Sequence, residues 1–535
     1  MPERTGTTGA RHHLIRWTGL SGAVALAIAG FLGGALPDPP AAGWAVFTSG
    51  RGALSVLAWL AGTAALVWAW WSARHGVPSV RWALVTVGLW ALPLLVAPPL
   101  ASRDIYSYAC QGWVYRAGGD PYGGVAGQGC PWIDAVAPLW RDSPAPYGPV
   151  FVWLAGLAVT VGAGLTGTVL VLRLFAVAGL LLIALTLPGL ARRCGLPAGR
   201  ALWLTLACPV VLVHLVSGGH NDALMVGLLV AGLWTIVAGA APVSGAAPPG
   251  RFGGGPLFTR FAGGPLFTRF AGGLLLGLAV GVKATALVVL PFAAVLAVSG
   301  PRRPAALVRA GAPVLLGAAA AVAAASAGSG LGLGWVAGLA RSGDSRQWTS
   351  PPTAVGLLAE YLGRAVGVQL SAVGVARVVA LALLAGFLVV SWWWVWRGGG
   401  PLAAWRSNDG RAVPVPESSG ATSTQDCGLA VYGAGTALAA TLVAAPVFYP
   451  WYLVWPLALL AAAAYRTQWF LLPVAVCCFL VLPDGSGIAA MTKAPGTFAM
   501  CGLIAVLVVR TATRSPTILP AILRLSRRFV GIVRR

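Results

Sequence analysis

Acidic side chains are scarce in this chain: 13 Asp and Glu in 535 residues, against 36 Lys and Arg. Charged residues of both signs make up only 9% of the sequence, where a water-soluble domain carries about 25%. Such a chain cannot clothe itself with a hydrated surface, which excludes an ordinary soluble fold. Lysine is nearly missing, with Lys283 and Lys493 standing beside 34 arginines. No P-loop, Rossmann fingerprint, GxSxG elbow or HExxH run is present, so soluble nucleotides have no visible site and no cofactor is expected. The eight cysteines lack metal-ligand spacing. A metal held by His220, Asp222 and Asp104 is conceivable on residue type, but oxygen-rich sites usually gather more carboxylates, so no metal is expected.

What the chain has in abundance is apolar length. Hydrophobic residues make up 58% of it and the mean hydropathy is +0.81. In lipid a backbone finds partners only within its own helix, so the expectation is an all-α polytopic membrane protein of about 13–14 transmembrane helices. Spans are expected near 14–36, 52–73, 82–100, 168–190, 201–217, 223–241, 264–283, 284–299, 305–328, 371–396, 428–446, 451–465, 468–483 and 495–513. Two further apolar stretches, 148–164 and 353–369, are expected as interfacial outer helices. Counting 148–164 as a crossing would carry Arg192, Arg193 and Arg200 to the same side as Asp104. A break near Lys283 is expected for a related reason: only two crossings in 264–299 leave Arg251, Arg260 and Arg269 on the same side as Arg302, Arg303 and Arg309. With these choices the basic clusters lie inside, as the positive-inside rule requires, and so do both termini.

The net charge of +23 therefore reports orientation, and nucleic acid is not an expected partner. The chain reads as a single membrane-embedded domain over 1–535. Within it, 101–147 forms the first large outer loop, 242–271 a cytoplasmic linker and 397–427 a cytoplasmic loop. The tail 514–535 is basic and interleaved with Ile, Leu and Phe, as for a helix on anionic lipid. The linker holds a tandem nine-residue repeat from Gly254 to Ala271, a local duplication without a repeat architecture. The N-terminus resembles a signal anchor that is retained. Cys110 and Cys130 both fall in the outer loop, where they form either a disulfide or two unpaired thiols. Cys208, Cys477, Cys478 and Cys501 read as small core residues.

The unusual polar groups gather on the outer side. Asp104 follows the third span, and a carboxylate at the edge of the hydrocarbon is costly enough to be a functional candidate. Tyr106, Tyr108 and Gln111 follow it; aromatic and amide groups beside a lone carboxylate suit a sugar, although an interfacial aromatic belt also gathers Tyr and Trp. Asp120, before Pro121, reads as a turn residue. His220, Asn221 and Asp222 join two apolar helices after Gly218 and Gly219, and a helix cap explains one of the three, not all. Lys283 interrupts an apolar stretch: it either snorkels to the headgroups or meets a phosphate at the membrane surface. Arg341, Arg346 and Arg103 are candidates to share that phosphate, because guanidinium suits its oxygens.

These pieces resemble a GT-C fold glycosyltransferase, and specifically the actinobacterial polyprenol-phosphate-mannose-dependent alpha-1,6-mannosyltransferases. The resembling stretches are Asp104-Ile105-Tyr106-Ser107-Tyr108 with Gln111-Gly112, Asp120-Pro121-Tyr122 and Tyr147-Gly148-Pro149. Gly219-His220-Asn221-Asp222-Ala223-Leu224-Met225, Lys283-Ala284-Thr285 and Ser350-Pro351-Pro352-Thr353 follow in the same order. The resemblance implies a GT-C type bundle, a polyprenyl-phosphate-mannose donor, a mannan or lipoglycan acceptor, and an active site on the extracytoplasmic side. It carries the role of catalytic base to Asp104. The cysteine pair and the duplication depart from the pattern. Arabinofuranose or another sugar is the alternative within the fold. Outside it the alternative is a polytopic lipid or polysaccharide transporter, which predicts internal symmetry and polar groups near mid-membrane.

Overall fold

The computed structural model describes residues 4–38, 43–239, 264–341, 345–406 and 424–514. Among them the chain is helical, with an isolated bridge between Val481 and Gly487 in place of any sheet. All fourteen stretches expected as spans are helical. Eight are single helices long and apolar enough to cross: Gly9–Gly33, Gly50–Ser72, Leu165–Arg193, Gly264–Val282, Pro304–Gly328, Ala372–Arg397, Thr424–Ala444 and Lys493–Thr511. The stretch expected at 201–217 is a pair, Ala198–Leu206 and Val211–Ser217, bent by 67°. Five more are shorter apolar helices: Val80–Val96, Asp222–Ala238, Ala284–Leu296, Pro450–Ala463 and Gln468–Cys477.

The break expected near Lys283 is present. Helix Gly264–Val282 ends there, Lys283 takes an extended backbone (φ −152°, ψ 121°), and a 3-10 turn Ala284–Val289 resumes. The 148–164 stretch forms helix Pro149–Gly162, whose 14 residues rise about 21 Å, short of the roughly 30 Å hydrocarbon core. The second copy of the duplication is not wholly linker, since Gly264 to Ala271 form the first turns of helix Gly264–Val282. The first copy, Arg251, Arg260, most of the 397–427 loop and nearly all of the basic tail lie outside the described residues.

Small residues set the helix spacing. A Cβ on Gly22 would lie 2.8 Å from the Gly62 carbonyl oxygen, so the first two long helices touch backbone to backbone. At Gly148 the approach is tighter, 2.4 Å from a built Cβ to the Gly281 oxygen, and the Gly148 N–H donates to Val282. That contact presses the start of helix Pro149–Gly162, with Tyr147 before it, against the break at Lys283.

The chain divides into two compact units. One comprises Met1–Ser345, Leu384–Leu442 and Tyr449–Ile488; the other comprises Arg346–Leu383, Val443–Phe448 and Ala489–Arg535. In the second, Ser350 caps helix Pro351–Ala365 through Thr353 and donates to the Ala445 carbonyl at 2.7 Å. The Thr353 hydroxyl donates to Pro446 at 2.8 Å and accepts from Arg377. The Ser350-Pro351-Pro352-Thr353 motif thus works as a cap and clamp within its own unit.

Candidate active site

Asp104 opens helix Asp104–Arg116, where an acidic group is favoured by the helix dipole. Its backbone N–H donates to the Ser102 hydroxyl. The preceding Arg103 spans the carbonyls of Pro37, Asp134 and Ala135, so its guanidinium ties the outer loop to the chain after the first span. Tyr106 turns the same way and donates to the Ala35 carbonyl at 2.8 Å. Cys110 and Cys130 are joined as a disulfide, Cα to Cα 5.5 Å, which resolves the open alternative for that pair. Asp120 accepts from the Tyr122 N–H, as expected of a turn residue.

The second contribution comes from the turn after the bent pair. Gly219 has φ +63°, and a Cβ there would lie 2.7 Å from Ile105, so glycine lets the turn close onto the Asp104 helix. Arg173 holds this turn: its guanidinium donates to the carbonyls of Ser217, Leu95 and Ala97. Asn221 sits at the N-cap of helix Asp222–Ala238 but makes no side-chain cap bond, and both its side-chain polar atoms are buried without a hydrogen-bond partner. Capping therefore does not account for Asn221 or Asp222.

Asp222 is paired elsewhere. Its Oδ1 accepts from Lys283 at 2.7 Å and from the Trp455 indole. The Lys283 ammonium also lies 4.6 Å from the Tyr452 ring centroid, 5.0 Å from Trp455 and 5.8 Å from Tyr147. His220 stands between the two carboxylates, its Nδ1 3.9 Å from Asp104 Oδ2 and 3.9 Å from Asp222 Oδ2. The same nitrogen is 3.4 Å from the Tyr108 hydroxyl. Burial and the Lys283 charge hold the imidazole well below its usual pKa, so His220 is neutral and its carboxylate contacts are not ion pairs.

Rings enclose this cluster. Tyr108 meets Tyr147 and Phe151 edge-on at 5.2 and 4.9 Å. Trp451 lies 4.4 Å from His220 and stacks on Tyr449 at 4.6 Å. Exposure then separates the two acids: the Asp104 side chain is 13% accessible, whereas Asp222 and His220 are fully buried. Asp104 alone of these three can meet a substrate as placed. Its carboxyl is pushed up to about 6, by burial first, with Lys283 acting in the opposite direction.

The sequence candidates sort accordingly. Asp104, Tyr108, His220, Asp222 and Lys283 come together in the first unit. Tyr106 is spent on Ala35, and Gln111 is buried with its Oε1 unpartnered. Arg346 belongs to the second unit and bonds Glu360 at 2.6 Å. The Arg341 side chain lies outside the described residues. Among the described residues no group of three or more His, Cys, Asp or Glu is arranged to hold a metal ion. Nothing local in the sequence marks Trp455 and Phe151 as rings that face the site, or Arg173 as an arginine that serves it, and Tyr147 stands in the sequence only as part of a resembling stretch.

The family model described as "Alpha-(1->6)-mannopyranosyltransferase, N-terminal domain" matches residues 16–299, and "MptB C-terminal domain" matches 421–513. An alpha-(1->6)-mannopyranosyltransferase of Mycobacterium tuberculosis is 32% identical over 80% of this chain and 74% of its own. The alpha-(1->6)-mannopyranosyltransferase A of the same organism is 30% identical over 71% of this chain and 64% of its own. The corresponding B enzyme of Corynebacterium glutamicum is 27% identical over 75% and 62%. A crystal structure of an Archaeoglobus fulgidus oligosaccharyltransferase aligns over 76% of this chain and 55% of that one, at 14% identity and a TM-score of 0.37.

Proposed function

The chain belongs to the alpha-(1->6)-mannopyranosyltransferase family and is a multi-pass membrane mannosyltransferase, and we propose that it takes mannose from a polyprenyl phosphate and adds it to a mannan-type acceptor on the extracytoplasmic side. The observation that carries the mechanistic reading is the difference in exposure between Asp104 and the sealed Asp222. A base must touch the acceptor, and Asp104 can.

In the proposed reaction a 6-hydroxyl of the acceptor attacks C1 of mannose as its proton passes to the Asp104 carboxylate. The C1–O bond to phosphate breaks with its electron pair on the phosphate oxygen, and the configuration at C1 inverts. Phosphate is already a good leaving group, so a general acid is unnecessary. General-base help of this kind contributes about 100- to 10,000-fold in rate. Lys283 supplies positive charge held in place by Asp222, in a site walled by rings, where a fixed charge stabilises a developing anion. His220 and Asp222 position that machinery from behind. A carboxyl at about 6 suits a base near neutral pH better than an ordinary aspartate would.

The extracytoplasmic assignment is supported by the Cys110–Cys130 disulfide in the loop beside Asp104, since such bonds persist in oxidising surroundings. With the expected spans and the positive-inside rule, this reading has both termini in the cytoplasm. The test is transfer from radiolabelled polyprenyl-phosphate-mannose to an α-1,6-oligomannoside by the purified chain. Transfer to the 6-position supports the reading; a wild-type chain that binds the donor and leaves the acceptor unmodified overturns it.

A further inference from the structure

Trp140 lies in the outer loop, on the short helix Pro138–Arg141, beside the Asp104 carboxylate, whose charged form its indole favours. Its ring is 6.1 Å from that of Tyr449, at an interplanar angle of 61°. Tyr449 in turn stacks at 4.6 Å on Trp451, which lies on His220. Both Trp140 and Tyr449 are half-buried, unlike the sealed Trp451 behind them. The two rings therefore form an open corner with the Asp104 carboxylate at its edge.

The backbone fixes the corner on both sides. The Arg141 carbonyl accepts from the N–H groups of Val125 and Ala126, and the Arg141 side chain donates to Val136, so the segment carrying Trp140 is tied to its own loop. Pro450 and the 3-10 turn Pro450–Leu453 hold Tyr449 from the other side. A belt tryptophan at a lipid interface aims its N–H at headgroups or water. The Trp140 indole instead favours the charged carboxylate of the site, which a belt role leaves unexplained.

We propose that Trp140 and Tyr449 form the subsite for the acceptor, gripping a pyranose ring by its C–H face so that a hydroxyl of the same sugar meets Asp104. This rests on the reading of Asp104 as the base for a glycan acceptor. Aromatic walls with a few fixed polar groups are how sites orient a ligand that is apolar on its faces and polar at its rim. The pair also selects: a sugar whose ring cannot lie in the corner does not bring its hydroxyl to the carboxylate.

The test is equilibrium binding of an α-1,6-oligomannoside to the full chain in detergent, without donor, for Trp140→Ala, Tyr449→Ala, Trp140→Phe and Asp104→Asn. Each alanine variant is expected to weaken acceptor binding about tenfold, equivalent to ~1.4 kcal/mol. Trp140→Phe, which keeps a ring, should lose less than threefold. Asp104→Asn should still bind the acceptor, so failure of the base assignment and failure of the subsite give different results. Binding of polyprenyl-phosphate-mannose to the same preparations should be unchanged, which shows that the variants are folded. Unchanged oligomannoside binding in both alanine variants overturns the proposal, as does a loss confined to the donor.

Discussion

Lys283 Nζ lies 2.7 Å from Asp222 Oδ1, across 61 residues of sequence, with both side chains nearly or wholly buried. The lysine that sequence reading offered as a phosphate ligand is first the partner of a sealed carboxylate. Breaking a buried pair by removing one member leaves an uncompensated charge, which costs about 3–5 kcal/mol. Lys283→Met and Asp222→Leu should each lower the unfolding temperature in detergent markedly. The double variant should recover much of the loss. Single variants as stable as the wild type would show that the pair does not support the fold.

Asp104→Asn should reduce transfer by about 100- to 10,000-fold while donor binding stays near normal. Single-turnover measurement with radiolabelled donor distinguishes this from lost binding. Full transfer by the variant would remove Asp104 from the chemistry.

The pH dependence follows from burial of the same group. Its carboxyl rises from an ordinary 3.8 to about 6, and a base works only when ionised, so kcat/KM should climb as pH rises through about 6 and level off above it. Stability moves the other way. A carboxyl raised on folding contributes stability that is complete below its unfolded value and is lost as pH rises through its folded one. Asp104→Asn should therefore unfold at a higher temperature than the wild type at pH 7.5, with the difference closing below pH 4. A wild type more stable than the variant at pH 7.5 would contradict the burial cost.

The Cys110–Cys130 bond closes a loop of similar length to one for which cross-linking contributes about 3 kcal/mol. Cys130→Ser should lower the unfolding temperature and loosen the loop that carries Trp140. Alkylation of the unfolded, unreduced chain should modify six cysteines and spare these two. Eight modified cysteines would show the pair reduced.

Arg173 predicts a subtler loss. Its guanidinium bonds the Ser217 carbonyl just before the 218–222 turn and the Leu95 and Ala97 carbonyls at the end of helix Val80–Val96, and hydrogen bonds to a charged group contribute about 1.5–3 kcal/mol each. Arg173→Lys keeps the charge but not the fork, so kcat should fall several-fold with little change in expression. An unchanged kcat would mean that the turn is positioned without it.

Much of this site was legible in residue order. Asp104 stood out because carboxylates are rare, Lys283 because it broke an apolar run, and 218–222 because three polar residues exceed what a cap requires. The break at Lys283 was legible from charge parity. Trp455, Phe151 and Arg173 were not, because an arginine inside helix Leu165–Arg193 bonds only to backbone that arrives from other segments, and an aromatic residue looks alike in sequence whether it lines a site or a belt.

By itself the sequence determined a membrane-embedded, all-helical chain, because composition and apolar run length decide what lipid will accept and each helix satisfies its backbone alone. It also determined the break at Lys283, but not the bend between Leu206 and Val211. Only the tertiary structure decided which carboxylate is reachable and which is sealed, and that Lys283 and Trp455 close over Asp222. Those outcomes depend on contacts between residues 61 and 233 positions apart. They are set by how close glycines let two helices come, and no local pattern along the chain records it.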